Sequence, residues 1–339
     1  MIRIFNDVLI INFYISTLII IVLALRKKVL NKYTSIFNYI LCIGITLRLI
    51  FITRIRIPIP KILKIFQSDT TLYYGSDFIS PNNNKINFLQ ILCLIWIIGM
   101  IITSIYYIYN YFNLYKNVIN LKKCITDYYI YNVLEVQKSN LKIRKNINIY
   151  KLDGIYSPMI VGFFNPQIII PNRDYTYNNL HYIFKHELIH YKRKDNLIKL
   201  ILTFVTIIYW FNPIIYLLKN HLLNQCELSC DELVVQNFTK NEVKEYSLLL
   251  LDTIKYKNKL NSQMCVSYLN ESKSNITKIR ISHILSFEKH KKGTIAIILI
   301  GLVIMSSTVS FHSKDISTNT SLMPTINLYK DNTIQATFD

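Results

Sequence analysis

The sequence predicts a mainly α-helical, multi-pass membrane protein with four transmembrane helices and a cytoplasmic α+β domain. Apolar residues make up 51% of the 339 residues, while the formal net charge is +19. Apolar content and charge occupy different stretches of the chain, whereas a soluble domain mixes them. Four apolar stretches also reach the roughly 17 to 25 residues that a spanning helix needs.

The first apolar stretch, residues 4–25, is followed at once by a basic cluster. The cluster comprises Arg26, Lys27, Lys28 and Lys32. Short basic loops stay in the cytoplasm, so the N-terminus is predicted outside the cell and the first loop inside. Because no small-residue cleavage site follows, we expect a retained anchor rather than a removed signal peptide.

Residues 36–52 and 86–109 are predicted as the second and third spans. Arg48 lies near the far end of the second span, where it can snorkel to the interface or pair inside the helix bundle, and snorkelling is expected. Tyrosines at the end of the third span suit the membrane interface. Residues 1–112 are therefore predicted to form three transmembrane helices with their connecting loops.

Residues 113–292 carry 26 Lys and Arg against 14 Asp and Glu. This excess predicts a cytoplasmic domain. A fourth span is predicted at 293–311 and a short extracellular tail at 312–339. The lysines form no nucleic-acid reader motif, so direct nucleic-acid binding is not expected. The six cysteines are expected to be free thiols.

Residues 184–191 contain an H-E-x-x-H motif. On a helix, His186 and His190 stand on one face at i and i+4, so both imidazoles can reach one Zn²⁺ ion. Glu187 then lies beside the open metal position, where its carboxylate can take a proton from the attacking water. The motif predicts a zinc metallopeptidase. So short a pattern also occurs by chance, and two histidines on a basic helix can simply be solvated.

A catalytic zinc site usually has a third protein ligand. The segment that follows Gln225 offers Glu227, with Asp231 on the same helical face at i+4. Cys226 and Cys230 have the same spacing and are an alternative pair of ligands. A thiolate-rich coordination sphere is more typical of closed structural sites, which favours Glu227.

Residues 197–218 are apolar enough to form a span, yet a single crossing would put His190 and Glu227 on opposite sides of the membrane. The Asn212-Pro213 pair offers a solution, because proline disfavours helix at the preceding residue and lacks a backbone donor. The arms before and after this proline measure about 25 Å and about 21 Å. We therefore predict a helical hairpin near 196–225 that dips toward the membrane and returns Glu227 to the zinc helix.

Alternating apolar and polar residues predict a strand over 142–152. Two shorter strands, 159–163 and 167–170, are predicted on either side of the Asn165-Pro166 turn.

Three polar residues near the motif each have two interpretations. Asp195 either braces the end of the zinc helix or pairs with a neighbouring surface cation. Arg193 is expected on a solvated basic face rather than as an active-site cation. His221 is expected as a polar helix-face residue rather than as a ligand.

Four motifs in order resemble the antirepressor peptidases of the beta-lactam-sensing receptors, the BlaR/MecR-type family. The motifs are Ser157–Pro171, the H-E-x-x-H motif with Asp195, Trp210–Pro213, and Glu227 with Cys230-Asp231-Glu232. The resemblance covers roughly residues 1–311. It implies a gluzincin-type site in which His186, His190 and Glu227 bind Zn²⁺. In that site Glu187 is the general base and Asp231 orients His186.

The resemblance also implies that an edge strand beside the zinc helix, here 159–163, receives the substrate backbone, although these residues could equally be core strands. It implies a cytoplasmic winged-helix repressor as the substrate, with self-cleavage in the basic region before the fourth span as an activating step. The chain departs from the best-known members of the family, because the segment 312–339 is too short for a penicillin-binding sensor domain and lacks a Ser-x-x-Lys pattern.

The predicted location is the cell membrane with the active site on the cytoplasmic face. The predicted partners are the lipid bilayer, a cytoplasmic protein substrate, and a second copy of the chain in a homodimer. Two other functions share these features. One is a catalytically silent signalling or scaffold protein, against which the intact Glu187 weighs, and the other is a membrane-protein quality-control peptidase.

Overall fold

The computed structural model describes most of the chain, with gaps. The described residues are 2–25, 32–50, 55–58, 88–121, 123–125, 127–162, 165–264, 271–286 and 309–312. They belong to two compact units, one within residues 1–54 and 80–308 and the other within 55–79 and 309–339.

The described part of the chain is mainly helical, as predicted. Its helices are α1 (Ile2–Leu25), α2 (Ser35–Ile50), α3 (Phe88–Leu121), α4 (Tyr128–Asn140), α5 (Tyr177–Arg193), α6 (Asp195–Ile208), α7 (Pro213–Val235), α8 (Lys240–Met264) and α9 (Glu271–Leu285). Its strands are β1 (Ile55–Pro58), β2 (Lys123–Cys124), β3 (Asn148–Leu152), β4 (Met159–Val161), β5 (Gln167–Pro171) and β6 (Val309–His312).

Two of the described helices are long and apolar enough to cross a membrane, over Ile4–Leu25 and Phe88–Asn113. They agree with the first and third predicted spans. Helix α2, at 16 residues, is shorter than an untilted span requires, so the second span is not confirmed. Most of the predicted fourth span lies outside the described residues, and its last three residues, 309–311, belong to β6. The prediction therefore extends that span too far.

One hydrophobic core joins the apolar helices α1, α2 and α3 to the α6–α7 pair. Ile15 and Ile19 of α1 and Ile45 of α2 are buried in it together with Leu202 and Leu218 of the pair. Arg48 is also buried, at 3% exposure, so it lies within the described bundle. The expected snorkelling of Arg48 is wrong, because the surrounding helices enclose its side chain.

The second core lies between a four-stranded sheet and helices α4, α5, α7 and α8. The strand order is β2-β3-β5-β4, with β3 parallel to β5 and β4 antiparallel to it. Strand β4 therefore forms one edge, and the two strands predicted on either side of the Asn165-Pro166 turn pair as a β-hairpin. Ile149 and Ile168 from the sheet pack with Phe184 and Leu188 from α5.

The predicted strand over 142–152 begins only at Asn148. Lys142 and Ile143 instead complete the turn after α4. There the Leu141 N–H donates to the Gln137 carbonyl, and Lys142 adopts a left-handed conformation with a φ of 57°.

Helix ends position α5 and the α6–α7 pair. The Thr176 side chain accepts a hydrogen bond from the Asn179 N–H and caps the start of α5. The residue that follows the helix, Lys194, adopts the left-handed conformation and caps its end. The Asn212 side chain caps α7 and Pro213 occupies its first turn, so the helix is interrupted where proline predicted it. Helices α6 and α7 pack against each other as a hairpin.

The described part of the second unit is a pair of strands. Strand β1 pairs with β6 in parallel, with Ile55 opposite Val309.

Candidate active site

Helix α5 brings the three motif residues to one buried face. His186 and Glu187 are each 8% exposed and His190 is 6% exposed. The opposite face of the helix is apolar and packs on the sheet through Phe184 and Leu188. The helical placement that the motif required is therefore present.

Glu227 of α7 faces both histidines. The two histidine Nε2 atoms are 3.1 Å apart, and the Glu227 carboxylate oxygens lie 3.6 Å from His186 Nε2 and 3.7 Å from His190 Nε2. A tetrahedral ion with ligand bonds of about 2.05 Å places its donor atoms roughly 3.3 Å apart. The two Nε2 atoms are close to this separation. The nearest Glu227 oxygen to each histidine, a different one in each case, lies a few tenths of an ångström beyond it.

The Nδ1 nitrogen of His190 is held by Asp195, which is fully buried. Asp195 Oδ2 lies 2.6 Å from that nitrogen, and Arg193 holds the same carboxylate with bonds of 2.8 Å and 3.2 Å. Arg193 also donates to the Ser229 hydroxyl at 2.9 Å. The expected solvated position of Arg193 is wrong, because a buried carboxylate requires a cationic partner.

The Nδ1 nitrogen of His186 is held by two groups. It lies 3.0 Å from the Tyr246 hydroxyl of α8, and that hydroxyl donates to Asp231 Oδ1 at 2.7 Å. Asp231 Oδ1 itself lies 3.4 Å from the same nitrogen. With acceptors at both Nδ1 atoms, each ring would bind a metal in the form that carries its proton on Nδ1, with its Nε2 lone pair directed at the shared point.

Arg280 of α9 completes the charge balance. Its guanidinium donates to the two Asp231 oxygens at 2.7 Å and 2.8 Å and lies 3.4 Å from Glu227 Oε2. Burial would raise the pKa of Asp231, but Arg280 and His186 hold that pKa well below its ordinary value. Burial likewise acts to raise the pKa of Glu227, and His190, His186 and Arg280 lower it. Both carboxylates are therefore ionised, as metal ligation and its support require.

The two cysteines of α7 also approach the histidines. Cys230 Sγ lies within 4.8 Å of ligand atoms of His186 and His190, but it donates to the His186 carbonyl at 3.5 Å. Cys226 Sγ faces the Nδ1 side of His190, 3.9 Å away. The described lining of the adjoining cavity contains neither cysteine and does contain Glu227. Glu227 is therefore the better third ligand for a site open to substrate. Cys93, Cys124, Cys226 and Cys230 are free thiols, as expected, and Cys265 lies outside the described residues.

A cavity of about 230 Å³ opens onto this cluster. Its lining includes Glu187, whose carboxylate forms no hydrogen bond or ion pair with the described residues. Lys199 and Asn196 of α6 line it as well, and the Asn196 side chain donates to the carbonyl of Ile160 in β4 at 3.3 Å. The edge strand β4 thus borders the cavity, close to the Glu187 carboxylate, which has no partner among the described residues.

Sequence reasoning missed Tyr246 and Arg280. Tyr246 is one of 25 tyrosines, and Arg280 lies in a generally basic region. Neither residue belongs to a spaced motif, so no local signal distinguishes them. His221 is buried at 4% exposure and does not line the cavity in the described structure.

The amino-acid sequence matches a family model and several known proteins. A family model described as BlaR1 peptidase M56 matches residues 7–284. The regulatory protein BlaR1 of Bacillus licheniformis is 29% identical over 186 residues, which cover 52% of this chain and 31% of that protein. The methicillin resistance mecR1 protein of Staphylococcus aureus strain Mu50 is 29% identical over 168 residues, covering 47% of this chain and 28% of that protein. The matched part thus spans about a third or less of each of these relatives.

Proposed function

Because this chain belongs to the BlaR1 peptidase M56 family, we propose that it is a membrane-embedded zinc endopeptidase that acts as a signal-transducing antirepressor. Its active site lies at the cytoplasmic membrane face, and its substrate is a cytoplasmic transcriptional repressor. The peptidase proposal rests on one observation. His186, His190 and Glu227 converge beside a cavity that Glu187 lines. The family resemblance, and a relative named as a regulatory protein, support the repressor.

Three residues would hold the metal, namely His186, His190 and Glu227. Zinc bound there would supply a Lewis acid that acidifies water and polarises a peptide carbonyl. Glu187 accepts the proton of the attacking water and delivers it to the leaving amine, a role that suits a carboxylate without a competing hydrogen bond in the described structure.

The surrounding residues position the reacting groups. Asp195 holds the ring of His190, while Asp231 and Tyr246 hold that of His186, so that both Nε2 lone pairs stay directed at one point. The free edge of β4 takes the substrate backbone as an added strand. Lys199 lines the same cavity and offers a positive charge to the carbonyl oxygen as negative charge develops there.

The test compares the wild type with Glu187→Gln, each reconstituted in membranes with zinc and a candidate winged-helix repressor. Fragment masses of both proteins are measured. The wild type is expected to cut the repressor, and the variant is expected to bind zinc equally well and to cut at least about a hundredfold more slowly, as loss of a general base predicts.

Two results would contradict the proposal. If zinc is bound but the wild type cuts no more than Glu187→Gln does, with the stimulus also tested, the catalytically silent scaffold replaces it. If the wild type cuts membrane proteins but no repressor, the quality-control peptidase replaces it.

A further inference from the structure

A second cleft, of about 380 Å³, adjoins the catalytic cavity. Its lining carries five basic residues from two places in the fold, and its described lining contains no Asp or Glu. The basic residues are Lys142, Arg144 and Lys145 from the segment between α4 and β3, and Lys192 and Lys194 from the end of α5. We call this surface the basic cleft.

The five cations of the basic cleft are exposed. None of them forms an ion pair with a carboxylate of the described residues, although other cations of the domain do, such as Arg193 with Asp195. Five like charges facing one cleft repel one another, and an anionic occupant would relieve this repulsion. We therefore expect the ligand of the basic cleft to be negatively charged.

The basic cleft lies next to the catalytic cavity. His190 and Asn196 line both spaces, and Gly162, which follows the edge strand β4, lines the basic cleft. Met159 and Ile160, at the other end of the same strand, line the catalytic cavity. A peptide added to the edge of β4 would therefore pass from the basic cleft to the candidate metal ligands within a few residues.

We propose that the basic cleft binds an acidic segment of the protein substrate, a few residues from the scissile bond. The proposal rests on the proposed peptidase function and names the class of sequence that the site selects. A peptide is the favoured occupant rather than the membrane surface, because the cleft shares His190 and Asn196 with the catalytic cavity and contains Gly162, at the end of the edge strand. The basic run Lys289–Lys292 of the chain itself has the wrong charge to occupy the cleft.

The experiment uses the full chain in zinc-containing nanodiscs and matched pairs of internally quenched peptides. Each pair is built on one sequence that the wild type cuts in a peptide library, and the three residues flanking it on one side are Glu in one peptide and Lys in the other. We expect the wild type to show about a tenfold higher kcat/KM for the Glu peptide, the size of effect that a few exposed charge pairs produce. The preference should shrink at high salt.

Charge reversal in the cleft supplies the specific test. In Arg144→Glu/Lys145→Glu the ratio of the two kcat/KM values should fall to one or below, since the Lys peptide now finds the complementary charge. The matched control is Lys240→Glu/Lys244→Glu, two exposed lysines of α8 that line neither space. It should keep the wild-type ratio.

The outcomes separate this proposal from the proposed function. If the wild type cuts both peptides equally, or if Arg144→Glu/Lys145→Glu keeps the wild-type ratio, the cleft proposal is overturned and the peptidase stands. If Arg144→Glu/Lys145→Glu changes only the dependence of activity on anionic lipid, equally for both peptides, the cleft binds the membrane surface and the cleft proposal is overturned.

If the wild type cuts no peptide faster than Glu187→Gln does, the peptidase proposal fails. Anisotropy of the labelled peptides on Glu187→Gln then decides the cleft, because preferential binding of the Glu peptide supports it and equal binding overturns it.

Discussion

The two candidate histidine ligands are supported in different ways. His190 is held by one carboxylate, Asp195, at 2.6 Å, whereas His186 shares Asp231 with the Tyr246 hydroxyl. The tyrosine hydroxyl orients the histidine ring through one hydrogen bond. Its second hydrogen bond, to the carboxylate, polarises the hydroxyl and makes it a better acceptor for the histidine N–H. Tyr246 is therefore expected to act on metal affinity through His186.

Replacing Tyr246 with Phe removes this hydroxyl while leaving the ring packed in the core. We expect zinc affinity to fall about 10- to 100-fold, the usual cost of losing a partner behind a metal ligand. Competition with a chromogenic chelator measures the affinity, and raising free zinc should restore most of the peptidase activity.

The matched control is Tyr182→Phe. Tyr182 is also buried beside α8, but its hydroxyl donates to Glu245 at 2.9 Å, away from the candidate ligands. Equal zinc affinities for the two variants would refute a role of Tyr246 in positioning His186. A loss of activity that excess zinc does not restore would place Tyr246 against the substrate instead.

Local spacing explains which site residues the sequence predicted. His186, Glu187 and His190 share a motif whose helical period fixes their common face, and Asp195 follows within five residues. Tyr246 and Arg280 reach the site only because α8 and α9 pack over α5 and α7. Their positions depend on tertiary contacts, which no single stretch of sequence encodes.

At the scale of elements, the α6–α7 hairpin ties the candidate site to the apolar helices. The Glu232 carboxylate of α7 accepts hydrogen bonds from the Ser35 and Ile36 N–H groups at 2.6 Å and 3.2 Å, and so caps the start of α2. Tyr39 of α2 donates to Asp195 at 2.8 Å. A movement of α2 would therefore act on the residues that hold His190.

The tip of the hairpin packs against the middle of α3. The Trp210 indole donates to the Trp96 carbonyl at 3.2 Å, and a Cβ at Gly99 would overlap the Trp210 ring. Gly99 lies about 16 Å along α3 from Phe88, which is roughly half of a 30 Å hydrocarbon core. If α3 spans the membrane, the hairpin tip lies near the middle of the bilayer.

Bromine quenching in vesicles tests this depth. The Trp96→Phe variant keeps Trp210 as the only tryptophan of the chain, which has two. We expect its fluorescence to be quenched more by lipids brominated near the end of the acyl chain than by lipids brominated near the headgroup. The Trp210→Phe variant reports Trp96 in α3 as the reference depth. Stronger quenching of Trp210 near the headgroup would mean that the hairpin lies on the membrane surface.

At the scale of the whole molecule, composition predicted the class, and the charge rule predicted the topology. Long apolar runs predicted α1 and α3 because a span needs only length and hydropathy. Helix α2 is harder to classify, because 16 residues also suit a helix that the bundle buries. The fourth span and most of the external segments lie outside the described residues. The parallel pairing of β1 with β6 requires both strands to lie on the same side of the membrane.

Cysteine labelling tests the topology, because Cys124 is the exposed member of the described cysteines. In a Cys265→Ser background, a membrane-impermeant maleimide should leave Cys124 unlabelled in intact cells and label it after permeabilisation, since the domain that carries it is predicted inside. The substitution Ser321→Cys, in the predicted external tail, should introduce a site that is labelled in intact cells. If Cys124 is labelled without permeabilisation, the candidate site faces outward, and a cytoplasmic repressor could not reach Glu187. Labelling of neither position before permeabilisation would place the tail on the same side of the membrane as Cys124, which contradicts a fourth crossing between them.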